Sequence, residues 1–171
     1  EQRYCTDDNN AWRLGREYQT TTYVNETSVG QRVATTWGVL PNGSTVFAYA
    51  AWITTTQTFG GASAQSAAHY AYDGYGNLTA EYQFGDTAVD GDERSIHRRY
   101  YPNTTAWIVN QAARESIYAG IQPDNDNTGT LHSRTRYRYD SQSCWNLPPL
   151  AKGVLTAVDR WFGPRGGTPA N

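Results

Sequence analysis

No stretch of this sequence longer than a turn or two carries apolar residues at the 3.6-residue spacing of an amphipathic helix. Threonine, tyrosine, valine and tryptophan recur instead, with turn residues between them, and such side chains fit a pleated, half-buried surface. The pattern predicts an all-β fold built as a mostly antiparallel, twisted sheet. Its firmest local signal is Asn42-Gly43 within Pro41-Asn42-Gly43-Ser44, which joins the strand-like runs 33–40 and 45–56 as a hairpin. Residues 46–53 are apolar on both faces, so that strand is expected to lie centrally in the sheet or to be covered on both sides.

A second hairpin is read over residues 70–86. Tyr70 and Tyr72 point one way and His69, Ala71 and Asp73 the other, while Leu78, Ala80, Tyr82 and Phe84 share one face of the returning strand. Between the arms, Gly74 and Gly76 permit positive φ, and Asp73 and Asn77 can accept from neighbouring amides in an Asx-type turn. Residues 60–67, 85–93 and 122–130 read as loops.

A length of 171 residues suits one domain, placed at 1–163, with a flexible tail or linker at 164–171. The chain opens at Glu1, contains no methionine and shows no signal-like leader, so it is expected to be a piece of a longer polypeptide. No apolar run approaches a membrane span. A formal net charge of -2 gives no general electrostatic reason to bind nucleic acid or an anionic membrane. Lys152 is the only lysine, and the arginines carrying the remaining positive charge stack on aromatic rings more readily than lysine does. Cys5 and Cys144 read either as one long-range disulfide or as two free, partly buried thiols.

Internal similarity is the second constraint on the fold. "YRYD" at 137–140 echoes "YAYD" at 70–73, and "GVLTAVDRWFG" from Gly153 echoes "GNLTAEYQFGD" from Gly76, with an insertion, "SQSCWNLPPLAK", in the later copy. The run "NNAWRLGREYQTTTYV" near the start similarly echoes "NTTAWIVNQAARESIYAG" from Asn103. The order is a Trp unit, a Tyr-Asp unit, then both again.

With "YDGYGNLT", "WRLGR", "YYPNTTAWIV" and "YRYD…KGVLTAVDRWFG" in this order, the chain resembles the Rhs/YD-repeat family over about residues 11–163. That family includes bacterial Rhs proteins, the B and C components of insecticidal toxin complexes with their SpvB-like branch, and the related teneurin repeats. The resemblance implies strands of a long sheet that spirals into a hollow shell around a C-terminal effector. It assigns Tyr72, Asp73, Gly76 and Asn77 to one structural repeat turn, and Tyr139, Asp140 and Gly153 to a second. It further implies a secreted or cell-surface bacterial parent, no cofactor, and the rest of that parent as the principal partner. Self-association through unpaired sheet edges, or an edge covered by a terminal arm, is also expected. Cys144-Trp145 and Pro148-Pro149 depart from the simple repeat, and nothing resembles the aspartate-based self-cleavage core.

Other chemistries are weaker. Asp124 begins a calcium-like "DNDNTG", but the twelfth position is Thr135 where a bidentate Glu is needed, so a polar turn is expected. Asp86, Asp90, Asp92 and Glu93 read as a solvated acidic loop. His69, His97 and His132 stand outside any nucleophile or metal motif; Asp73, Glu81 and Asp140 could supply a carboxylate pair for glycoside hydrolysis, but any acidic β protein offers such a pair, so no enzyme is expected. Arg134, Arg136 and Arg138 alternate with Thr135, Tyr137 and Tyr139, which predicts a solvent-facing arginine ladder paired with carboxylates or tyrosines of the next strand. The rival function is a carbohydrate-binding β-sandwich in which Trp12, Trp107, Trp145 and Trp161 stack on sugar rings.

Overall fold

The computed structural model describes residues 1–6, 11–42, 45–125, 129–142 and 150–162. Ten strands run in chain order: β1 (Gln2–Tyr4), β2 (Glu17–Tyr23), β3 (Val29–Asn42), β4 (Thr45–Phe59), β5 (Ala62–Tyr72), β6 (Leu78–Asp86), β7 (Arg94–Tyr100), β8 (Ala112–Ala119), β9 (Leu131–Tyr139) and β10 (Leu155–Phe162). Each pairs antiparallel with its sequence neighbour, giving one open sheet in the order β1 to β10. The fold is therefore all-β, and its only helical element among the described residues is a 3-10 turn at Ala11–Arg13. No helix among the described residues is long and apolar enough to cross a membrane.

The Asn42-Gly43 signal marks a long hairpin, with Asn42 opposite Thr45 and pairing that extends back to Gln31 and Gln57. β4 lies in the interior of the sheet order, yet Val46, Phe47 and Trp52 on it are exposed. Of the two alternatives expected for this strand, the central position is therefore the one observed; cover over it is slight, and comes from the 3-10 turn at Ala11–Arg13. The glycine-rich run at 60–67 is not a loop: Gly60 and Gly61 alone make the turn, both at positive φ, and β5 begins at Ala62. Small residues there follow the pleat because Ala62 to Ala67 pair in register with Phe59 to Thr54.

Full burial concentrates at β6–β9, where Ala80, Ile96, Ala113, Tyr118, Tyr139 and Leu150 form the dry core. The connection after β8 folds back there. Ser95 Oγ donates to Gly120 O (3.0 Å) and accepts from Gln122 N (3.1 Å), while His97 Nε2 lies 2.8 Å from Gln122 O. Across the middle of the sheet, Trp52 stacks on His69 and His69 on Tyr82, with His97 and Tyr118 continuing the row edge-on. A row of this kind, exposed at Trp52 and buried at His97 and Tyr118, holds five neighbouring strands in register.

Candidate functional site

The two Tyr-Asp turns are built by the same bonds. In the first, Asp73 N donates to Asn77 O (3.0 Å), Asn77 N to Asp73 Oδ1 (2.9 Å), and Thr79 Oγ1 to Ala71 O (3.1 Å). In the second, Asp140 N donates to Val154 O (2.8 Å), Val154 N to Asp140 Oδ1 (3.0 Å), and Thr156 Oγ1 to Arg138 O (3.1 Å). Gly76 and Gly153 occupy the same position at φ 83° and 70°. The insertion is absorbed by the other carboxylate oxygen, since Asp140 Oδ2 accepts from Ala151, Lys152 and Gly153 N at 2.8, 3.0 and 3.2 Å. Those backbone donors, Lys152 N foremost, hold the Asp140 carboxyl below the ordinary aspartate range.

Strand register reveals that the repeat is shorter and more frequent than sequence similarity suggested. Tyr72 pairs with Leu78 while Ala71 pairs with Ala80, so Thr79 is the extra residue of a β-bulge. The bulge also breaks the simple alternation read for this strand: Ala80 and Tyr82 pair with Ala71 and His69, whereas Leu78 pairs with Tyr72. The same slip recurs at Tyr4–Glu17 against Arg3–Gln19, at Trp37–Ala50 against Thr36–Trp52, at Tyr100–Ala112 against Arg99–Arg114, and at Tyr139–Leu155 against Arg138–Ala157. Five hairpins thus share one plan, an aromatic residue in the first strand at a bulge in the second; in four of them the aromatic also closes the first strand, whereas β3 runs past Trp37 to Asn42.

Successive hairpins also meet in a constant register. The residue three before the aromatic always pairs with the residue two after the one that faces the preceding hairpin's aromatic: Ala34 with Gln19, His69 with Trp52, His97 with Ala80, and Arg136 with Arg114. At three of these junctions the aromatic donates a hydrogen bond to the backbone carbonyl that opens the preceding bulge. Trp37 Nε1 reaches Glu17 O (2.9 Å), Tyr100 Oη reaches Leu78 O (3.2 Å), and Tyr139 Oη reaches Ala112 O (2.9 Å). The bulge twists that carbonyl out of the ladder, and the ring's polar tip satisfies it. At the remaining junction Tyr72 packs against Tyr49 and Phe47, with ring centroids 4.8 and 5.7 Å away.

The first hairpin is a third Tyr-turn copy in disguise. Cys5 stands in the position of Asp73, Gly15 (φ 72°) in that of Gly76, and Cys5 N donates to Arg16 O as Asp73 N does to Asn77 O. Cys5 is a free thiol, and Cys144 lies outside the described residues. Adjacent turns interlock: Asn77 Nδ2 donates to Val109 O and to Asp73 Oδ2, and Asn103 Nδ2 to Leu150 O.

The remaining candidates separate rather than converge. Trp12 lies in the 3-10 turn before β2 and Trp107 in the β7–β8 connection, each five residues before the next strand begins, so the two Trp units are positional equivalents. Trp161 lies near the far end of β10 opposite Arg134, and Trp145 lies outside the described residues. Trp107 is 71% exposed, at φ 53°, and meets Tyr75 edge-on. The described tryptophans therefore line no common groove. Arg138 pairs with Asp159 on β10, but Arg134 is buried, donating to Ser116 Oγ and Tyr118 Oη, which corrects its reading as solvent-facing. It is drawn inside because β8 and β9 sit where the chain folds over the sheet.

Asp124 is likewise a clamp. Burial pushes its carboxyl up, but hydrogen bonds and charge from Arg99 and Arg114 outweigh this and hold it below the ordinary range. Glu81 flanks Arg98 together with Glu115, while Asp73 and Asp140 belong to separate hairpins. In the acidic loop, Asp92 accepts from Asp86 N, Asp86 from Ala88 N and Glu93 from Gly91 N. Among the described residues no group of three or more His, Cys, Asp or Glu is arranged to hold a metal ion. Comparison with protein-family models, with curated proteins and with solved structures returns no match to this chain.

Proposed function

We propose that this chain is a non-catalytic wall segment of a large Rhs/YD-repeat-like protein, contributing strands to a β-shell that encloses a C-terminal effector. The observation that carries this reading is the recurrence of one hairpin plan and one junction register along a single-layer sheet. Among the described strands each packs chiefly on its sequence neighbours, which is the economy of a repeat array that grows by addition. Asp73 and Asp140 hold turns, Asp124 clamps two arginines, and His69 and His97 stack with neighbouring rings, which suits a wall. A secreted or cell-surface bacterial parent follows from the family resemblance.

The test is cryo-electron microscopy of the polypeptide that carries this sequence. The ten strands are expected as a continuous strip of a hollow wall, with both edges paired to further hairpins and one face turned to the lumen. A discrete module standing outside any shell would overturn the reading.

One observation favours a carbohydrate-binding role instead: the exposed Trp107, held at positive φ beside Tyr75. In that case tryptophan fluorescence would respond saturably to a glycan, and Trp107→Ala would abolish the response with the fold intact. The Trp52–His69–Tyr82 row offers no such platform, because those rings present their faces to one another.

A further inference from the structure

We propose that the two edges of the sheet are the separated halves of one more junction, so that β1 of one copy docks on β10 of a second copy and the chain associates head to tail. This deepens the wall-segment reading, and rests on it, by naming what meets the edges when the chain stands alone, where no further hairpin of the parent occupies them.

Three features match. An even number of alternating strands leaves β10 running opposite to β1, so the new pair is antiparallel like every other neighbouring pair in the sheet. On β1, Tyr4 occupies the place of Trp37, Tyr100 and Tyr139, the aromatics that donate backward to a bulge carbonyl. Its hydroxyl instead bonds Gln2 Oε1 on its own strand (2.9 Å), and the residue is 47% exposed. On β10, Leu155 occupies the place of Glu17, Leu78 and Ala112, whose carbonyls accept those bonds, and it too is exposed. One edge presents the donor and the other the acceptor.

The junction register fixes the pairing: Glu1 of the incoming copy falls opposite Ala157, Arg3 opposite Leu155, and the Tyr4 hydroxyl on the Leu155 carbonyl. β10 carries neither proline nor lysine to blunt its edge, and Leu155, Val158 and Phe162 on it are exposed. The contact is heterologous, so it extends into chains or rings rather than stopping at a symmetric dimer. Because β1 contributes only three residues, association is weak and shows at high protein concentration.

Sedimentation velocity of the full chain across concentration tests this. Wild type is expected to form a ladder of species beyond the dimer. Leu155→Glu, facing Arg3, tightens association, and Leu155→Arg weakens it by placing like charges opposite. Arg3→Glu combined with Leu155→Arg restores it, and Tyr4→Phe weakens it about fivefold through one lost neutral hydrogen bond. Equal effects of Leu155→Glu and Leu155→Arg, or a species that stops at a dimer, would overturn the head-to-tail pairing. A strict monomer whose Trp37, Tyr100 and Tyr139 junctions stay protected in hydrogen exchange overturns the edge pairing alone and leaves the wall-segment reading standing. Loss of that protection overturns both.

Discussion

Asp140 shows how much a single carboxylate can organise. One oxygen gathers three consecutive backbone N–H groups and the other caps Val154, so four donors of an irregular connection are satisfied by one side chain. The ionised form is what those donors prefer, and the folded-state value is depressed. The contribution of this carboxylate is thus fully present above its unfolded value of about 3.9 and is lost as pH falls through the lower folded value. Protection of the Lys152, Gly153 and Val154 amides, taken relative to their intrinsic exchange, is expected to fall in that acid window while the strands at the Tyr139–Ala112 junction stay protected. Asp140→Asn should remove the pH dependence, because an amide does not titrate in this range, and should lower protection at every pH, because its nitrogen cannot accept the bonds that Oδ2 does. A protection profile that is flat with pH in the native protein would contradict this. At the same scale, sequence pointed to the role of Asp73 and Asp140 because both follow an identical Tyr-x-Tyr context. It could not reveal Cys5 as their counterpart, since a cysteine in that position carries no turn signature.

At the scale of the hairpin, the junction bond and the glycine set separate requirements. Tyr139→Phe deletes the hydroxyl that satisfies Ala112 O and should cost about 1 kcal/mol in urea unfolding, whereas Tyr4→Phe should cost close to nothing in the isolated chain. Equal effects of the two would mean that the backward bond adds no stability. Gly153→Ala should cost more, about 1–2 kcal/mol from the left-handed backbone alone. Its new Cβ would in addition lie 3.2 Å from the Ile108 methyl, a crowded contact. Sequence exposed two of the hairpins because both keep Gly-x-Leu-Thr-Ala, the threonine being the bulge residue that bonds back across the ladder. The other hairpins place Tyr18, Ala51 and Ala113 at the bulge and exchange tyrosine for tryptophan at Trp37. Register is a property of two strands at once, so a repeat conserved in register but not in residue type is legible only once the strands are paired. A sparser signal was present all the same: His69-x-x-Tyr72 and His97-x-x-Tyr100 place the same pair of rings at equivalent positions.

For the whole molecule, the decisive quantity is surface. The chain exposes 10763 Å2, whereas a compact monomer of its 19.1 kDa mass would expose about 8,400 Å2. Ten strands spaced at about 4.8 Å make a sheet roughly 43 Å across and one layer thick, with its dry core confined to one side of the array. That geometry needs neighbours: apolar side chains such as Phe47, Trp52 and Phe59 gain about 25 cal/mol for each Å2 of apolar area that a partner surface covers. It also makes a measurable claim about shape. A compact domain of 171 residues has a radius of gyration near 15.5 Å. Small-angle scattering at concentrations where the chain is monomeric should give a clearly larger value, with a distance distribution skewed toward long vectors. The urea m-value should fall below that of a compact chain of this length, because less surface is newly exposed on unfolding. A radius at the compact value would mean that the sheet closes on itself in solution. Closure would remove the exposed edges on which both the wall-segment reading and the head-to-tail contact depend.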